Sequence, residues 1–451
     1  MALEKDQKQD IYMKRSRTRN QEKPEGYLFT KRYTNYIFIL LFLLYMFDYI
    51  DRMVITSLFP FLKADWNLTD TQCGMLVSAV YWSIVLFTFP VSVLVDRWSR
   101  RKTIGLMAVV WSIATGLGAL SGSFRQLFSA RTVIGIGEAG YAPGGSAMMS
   151  AIYPQEKRSL MVGLWNASIP LGSAIGVALG GIIAAHWGWR HALGIVAIPG
   201  FIIAILFFFI KDYKTISLEK TETISDKKTE RRKVKMSITD ILKEFLSKPS
   251  LIFTYFGMAA VVFTTTSILT WLPTYFHRVQ GVLEKDAGLK ASAVMLFAII
   301  GAPLGGYIAD RWRKKQINSR LLVPTLTSLL SAILMFLAFS VFEGKIQYLI
   351  LLSMGISSTA FIAATTAVTQ DVVHPGLRAV SYAVAVVVQN LLGASLGPIV
   401  MGAISDATNI QTAFTYLSLA LLVAAVLFFI GSFYYEKDLH KVETVKLEVV
   451  E

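Results

Sequence analysis

Two short stretches hold charge where an apolar chain should carry none. The first is Tyr45-Met46-Phe47-Asp48-Tyr49-Ile50-Asp51-Arg52-Met53, inside an otherwise apolar run from about Tyr36 to Phe61. That run is roughly 25 residues long, enough for a helix to cross a hydrocarbon core with some tilt. An ionisable group at that depth is costly unless it faces protein or water. Asp48, Asp51 and Arg52 stand at i, i+3 and i+4, a spacing that predicts one shared helical face. The second stretch is Arg131-Thr-Val-Ile-Gly135-Ile-Gly137-Glu138-Ala-Gly140-Tyr141-Ala-Pro143-Gly144-Gly145. Arg131 and Glu138 are two helical turns apart and share a face.

Carboxylates at membrane depth can take up and release protons, and guanidinium forks can hold a carboxylate or phosphate. Fully ionised, Asp48, Asp51 and Glu138 outweigh Arg52 and Arg131 by one negative charge. Carrying that site between two solvent faces is easier if one carboxylate takes a proton. Asp51 and Glu138 are the expected proton carriers, with Asp48 third because it can simply pair with Arg52. Two plainer readings stand beside these: an ion pair that pins helices together, and an Arg131 that exists only to hold Glu138.

The elements that must position these groups follow from composition. The chain has 451 residues, 54% apolar and 16% charged, which excludes an ordinary soluble enzyme. Apolar runs predict about twelve spans. Their cores lie near 36–61, 72–95, 103–122, 127–152, 160–185, 192–210, 251–275, 288–309, 321–342, 346–369, 379–403 and 412–435. The net charge of +14 does not require nucleic acid. About 35 of the 44 Lys and Arg fall in the tails and alternate loops, against about 6 in the intervening ones. Both tails and the central linker are therefore expected in the cytoplasm, the chain being multi-pass and, in a bacterium, of the inner membrane. No phosphate-binding Gly-Lys-Ser/Thr loop, metal-ligand spacing or cofactor motif is present, and Cys73 stands alone. The expected division is a basic tail 1–34, a six-helix bundle 35–210, a linker 211–249, a second bundle 250–435 and a tail 436–451. Within the linker, Ile238, Ile241, Leu242, Phe245 and Leu246 predict a short helix lying on the membrane surface.

The second half is nearly free of charge at depth. It offers Thr264 to Thr266, Trp271, Tyr275, Thr365, Thr366, Gln389 and Asn390, while Asn166 adds an amide to the first half. Glycines at four-residue spacing in Pro170–Gly181 predict a smooth stripe for tight helix packing.

An internal repeat is the most specific signal. Span two ends in Asp96-Arg97-Trp98-Ser99-Arg100-Arg101-Lys102, and span eight in Asp310-Arg311-Trp312-Arg313-Lys314-Lys315. Here the chain resembles the major facilitator superfamily, whose loop motif reads Gly-x-x-x-Asp-Arg-x-Gly-Arg-Arg/Lys. The resemblance implies an all-α membrane fold of twelve helices in two pseudo-symmetric six-helix bundles. It also implies that Asp96, Arg97, Arg100, Arg101, Asp310 and Arg311 latch helix ends on the cytoplasmic side. Tyr49-Ile-Asp51-Arg52, Gly135-Ile-Gly-Glu138-Ala-Gly-Tyr141 and Trp271-Leu-Pro-Thr-Tyr275 resemble the spinster-like branch. Anion:cation symporters for sugar acids and related carboxylates share the Asp-Arg pair, the Gly-Glu-Ala segment and Gly188-Trp-Arg190.

In both branches the matching residues, here Asp51, Arg52, Arg131 and Glu138, line a central cavity. The resemblance implies a proton-coupled secondary transporter of an organic anion, monomeric and without a cofactor. Facing the charges of the first half, the uncharged second half with the aromatic surface of Trp271, Tyr275 and Phe276 favours a small or amphipathic, lysolipid-like anion over a polyhydroxylated one. Arg52, Arg131, Asn166, Trp271, Tyr275, Gln389 and Asn390 are the candidate substrate contacts. A sugar-acid symporter is the alternative within the fold. A non-transporting membrane receptor that keeps the fold is the alternative of a different class.

Overall fold

The structure, a computed structural model, describes residues 27–97, 99–212, 243–374 and 377–442. Among them all regular structure is helical. Ten helical passages are long and apolar enough to cross a membrane: Asp70–Thr88, Arg100–Ala119, Leu160–Trp187, Trp189–Phe208, Pro249–Arg278, Glu284–Arg313, Ser319–Ser340, Gly344–Asp371, Val380–Ala407 and Ile410–His440. Two further passages, spans one and four, complete two six-helix bundles, and both depart from the simple pattern for a physical reason. These are also the two that carry the charges buried at mid-span: Asp48, Asp51, Arg52, Arg131 and Glu138.

Span one runs as an α-helix over Lys31–Met53, tightens to a 3-10 turn at Val54–Ser57 and resumes as Phe59–Trp66. The last four carbonyls of an α-helix lack partners in the helix itself. Here each one is satisfied. Ile50 O accepts from Val54 N–H, and Met53 O accepts from the Thr56 hydroxyl at 2.8 Å. Asp51 O and Arg52 O accept from the Arg131 guanidinium at 2.9 and 3.0 Å. Span four is two helices, Phe124–Glu138 and Tyr141–Ile152. Pro143 has no N–H to offer the carbonyl four residues back, at Ala139, and the break falls there.

Span five carries its glycine stripe against span one. A Cβ on Gly172 would sit 2.3 Å from Met46 O, and one on Gly176 2.7 Å from Ile50 O. Span eleven contains a six-residue π-helical segment, Gln389–Ala394, between Arg378–Val388 and Gly397–Ala407. Such wide turns recur at functional sites, and nothing in the local sequence predicted this one.

Of the surface helix expected in the linker, 213–242 lies outside the described residues. Of its last residues, Phe245 is buried and Leu246 is exposed. Cys73 is fully buried.

The helix ends define two faces. The basic face carries Arg100 to Lys102 and Arg311 to Lys315; the far face carries the turns around Asn67, Gly188, Gly281, Gly344 and Asn409. Between the bundles, the described hydrogen bonds gather at the far face, where Asp70 meets Arg278 and Ser405, and Asp406 meets Thr71.

Candidate functional site

Arg52 is the hub of the buried charges. Its NH2 donates to Asp48 Oδ2 at 3.0 Å and to Glu138 Oε2 at 2.8 Å, one turn back along span one and across to span four. The guanidinium also lies 4.5 Å from the Tyr49 ring centroid and 5.4 Å from that of Tyr81. Aromatic faces and two carboxylates thus surround a cation that is only 7% exposed. Asp48 Oδ1 and Glu138 Oε1 each keep one oxygen without a hydrogen bond. The pairing satisfies the charge of Arg52, and it leaves acceptor capacity on both acids.

Asp51 does not join them, contrary to the shared face predicted from i, i+3, i+4. On a helix Asp48 and Arg52 are about 40° apart, while Asp51 is about 100° from Arg52. That offset turns its carboxylate toward spans three and six. A Cβ on Gly200 of span six would lie 3.9 Å from Asp51 Oδ2 and 3.1 Å from Ser112 Oγ of span three. Both Asp51 oxygens, the Ser112 hydroxyl and the Trp111 indole N–H are buried with no hydrogen-bond partner among the described residues. The nearby Thr115 hydroxyl is spent on Trp111 O at 3.0 Å.

Arg131 also differs from its sequence reading. It is 1% exposed and donates only to backbone carbonyls: Leu76 through Nε at 3.0 Å, Asp51 through NH1 and Arg52 through NH2. None of these bonds goes to Glu138. The guanidinium closes the end of span one and ties it to span two.

The uncharged candidates of the second half divide. Trp271 is fully buried, donates to Pro398 O at 3.0 Å and meets Phe59 of the first bundle at 5.1 Å between centroids. Tyr275 turns into its own bundle, where Gln347 donates to its hydroxyl at 2.6 Å and the rings of Phe339 and Phe414 stand edge-on. Gln389 and Asn390 are half-buried on the π-helical segment, and Gln389 donates to Ala385 O at 3.1 Å. Asn166 is exposed, one residue past Trp165, whose ring stacks on Tyr45 at 4.4 Å.

At the basic face the side chains of Asp96 and Arg97 lie outside the described residues. Arg101 donates to Ile210 O at 2.7 Å, and Arg100 to Ala147 O at 3.4 Å. Asp310 is largely exposed and reaches Arg320 at 3.5 Å, and Arg311 reaches Tyr307. The tight cluster there is one the sequence did not mark. Asp371, ending span ten, pairs with Arg320 of span nine and accepts from Tyr435 of span twelve at 2.7 Å, with Arg313 3.8 Å away. Tyr49 and Tyr81 were likewise missed as partners of Arg52. Tyr49 sits three residues before Arg52, within reach on a helix, but Tyr81 comes from span two and had no local signal.

Residues 41–395 match the family described as Major Facilitator Superfamily. The hexuronate transporter of Bacillus subtilis (strain 168) is 26% identical over 287 residues, 63% of this chain and 67% of that protein. Protein spinster homolog 1 of Xenopus laevis is 26% identical over 388 residues, 82% of this chain and 72% of its own. A solved bacterial homologue of the human lysosomal transporter spinster, in an inward-facing and unoccupied conformation, shares the fold. Its TM-score is 0.79 at 21% identity, covering 91% of this chain and 99% of that one.

Proposed function

The chain belongs to the major facilitator superfamily, and from that premise we propose that it moves a small organic anion with protons by alternating access. The observation that carries this reading is the double engagement of Arg52 by Asp48 and Glu138. An arriving carboxylate or phosphate must compete with those two acids for the guanidinium. Protonating Glu138 weakens its hold and leaves Asp48 as the one remaining competitor for Arg52, so proton and anion enter together. Asp51 is the second proton carrier: its unpaired, buried carboxylate is costly as a charge and cheaper once neutral. Arg131, occupied by three carbonyls, positions span one and leaves Arg52 as the anion's cation.

The body of the substrate is read from the second bundle. Trp271 and Tyr275 are engaged in packing, which removes much of the aromatic surface that favoured a long apolar body. Gln389 and Asn390 keep amide groups half-exposed, and this favours a hydroxylated anion such as a sugar acid, in keeping with the hexuronate transporter among the relatives. The lysolipid-like anion is the second reading, supported by the likeness to spinster proteins.

Charge asymmetry between the loops supports a cytoplasmic basic face and cytoplasmic termini. With the bundles joined at the far face, the protein is then closed to the outside and poised toward the cytoplasm. Asp96, Arg97, Arg100, Arg101, Asp310 and Arg311 are proposed to latch the opposite state. The two bundles are proposed to move as units, 35–210 against 250–435.

The test is uptake into proteoliposomes of hexuronate, other sugar acids and lysophospholipid under an imposed pH gradient. Wild-type protein is expected to accumulate one of these classes only when the gradient is present. Asp51→Asn and Glu138→Gln should abolish accumulation. If both variants retain gradient-driven uptake, the coupling site lies elsewhere; binding without flux in the wild type would mark a receptor.

A further inference from the structure

A group of charged residues at the far face belongs to neither the repeat nor the buried site. Asp70 opens the helix of span two and is 1% exposed. Its carboxylate accepts from Arg278 NH1 at 2.7 Å and NH2 at 2.8 Å, a bidentate grip from the end of span seven. It also accepts from Lys63 at 2.5 Å and from the Ser405 hydroxyl of span eleven at 2.6 Å. Asp406, the next residue of span eleven, turns its own carboxylate onto the start of span two. It accepts from Asp70 N–H at 2.7 Å, Thr71 N–H at 2.8 Å and the Thr71 hydroxyl at 2.7 Å. Those two N–H groups are orphan donors of a helix start, where the dipole favours an anion.

We propose that Asp70 and Asp406 form the latch that holds the far face shut, and that their release sets how readily the transporter opens to that face. This rests on the alternating-access reading and adds the residues that position one of its two states. The bonds cross between bundles: Arg278, Ser405 and Asp406 belong to the second, Lys63, Asp70 and Thr71 to the first. Two acids face two bases, so the cluster is neutral when closed; when it is pulled apart Lys63 stays with Asp70, while Arg278 and Asp406 lose the partners they hold across the interface.

The backbones beneath are in contact. A Cβ on Gly402 would lie 2.5 Å from Asp70 O, and one on Gly74 2.4 Å from Pro398 O. With no side chain at Gly74 or Gly402 to hold spans two and eleven apart, the backbones touch there, and a tilt of either bundle that parts them also breaks the carboxylate bonds. The arrangement also mirrors the basic face. Asp406, near the end of span eleven, caps the start of span two there. Asp96, near the end of span two, is proposed to act on a helix start at the other face.

The protein's one cysteine reads this equilibrium directly. Cys73 is fully buried three residues into the same helix, among Lys63, Asp70, Arg278 and Asp406. The experiment measures the rate at which a small methanethiosulfonate modifies Cys73 in purified, otherwise native protein. Asp406→Asn and Asp70→Asn are expected to raise that rate about tenfold or more, the change that follows from losing one bond to a charged group. Asp96→Asn, at the other face, should leave it unchanged or lower it. A folded Asp406→Asn protein with the wild-type rate would overturn the latch, as would an equal rise in Asp96→Asn, which would indicate general loosening. Asp406 is exposed, so its variant decides the matter even if Asp70→Asn does not fold. Flux is scored separately: absent wild-type flux counts against the transport reading, whereas an unmoved Cys73 rate counts against the latch.

Discussion

Replacing Arg131 by lysine keeps the charge and removes the fork, and the structure places the cost in stability before affinity. The guanidinium reaches three carbonyls on two helices, Leu76 on span two and the adjacent Asp51 and Arg52 on span one. An ammonium is a single point of charge and cannot meet all three, so one or two bonds are lost. Interhelical bonds in membranes average about 0.6 kcal/mol, mostly between neutral groups. Bonds from a charged donor contribute about 1.5–3 kcal/mol each, and the donor here is a buried cation. The charged value governs, which gives a loss of about 1.5–6 kcal/mol. The carbonyls left behind have no water to turn to, since the site is closed. Thermal unfolding can be followed through the loss of helical circular dichroism, since all regular structure among the described residues is helical and rigid-body opening leaves it in place. A midpoint several degrees below wild type is expected, with Arg131→Ala lower still. An unchanged midpoint combined with weaker anion binding would refute the reasoning and return Arg131 to the anion.

Gly172→Ala should destabilise the protein by about 1–3 kcal/mol, because the new methyl meets the Met46 carbonyl, a backbone atom that cannot rotate away. Gly163→Ala is the matched control, since nothing lies within 4 Å of a Cβ there. Equal midpoints for the two variants in the same unfolding assay would contradict the stripe's role in holding spans one and five together. Single cysteines replacing Lys5, Ser225 and Val445 should resist a membrane-impermeant reagent applied to intact cells and react after permeabilisation. Reaction from outside at any of them would reverse the proposed orientation.

Hydropathy runs and helical periodicity are properties of neighbouring residues, and whatever depends on them was legible in the sequence. Twelve apolar runs gave twelve passages, and the repeated Asp-Arg-Trp loops pointed to two related bundles. The charges of spans one and four stood out because an apolar run makes any ionisable group conspicuous. Pro143 marked the break in span four, since a missing N–H acts four residues away. Partners across helices were a different matter. Asp48, Asp51 and Arg52 looked like one group, yet packing against spans three and six drew Asp51 away while span four supplied Glu138.

Arg131 looked like an anion ligand because its local sequence cannot reveal that span one ends in a 3-10 turn with carbonyls needing donors. Trp271 and Tyr275 looked like a binding surface because burial is decided by what other helices bring against them. Asp70 and Asp406 are separated by most of the chain, and neither lies in a motif. Only the tertiary structure makes them neighbours. A residue's side of a helix follows from 3.6 residues per turn, but what waits on that side is set by how the bundles meet.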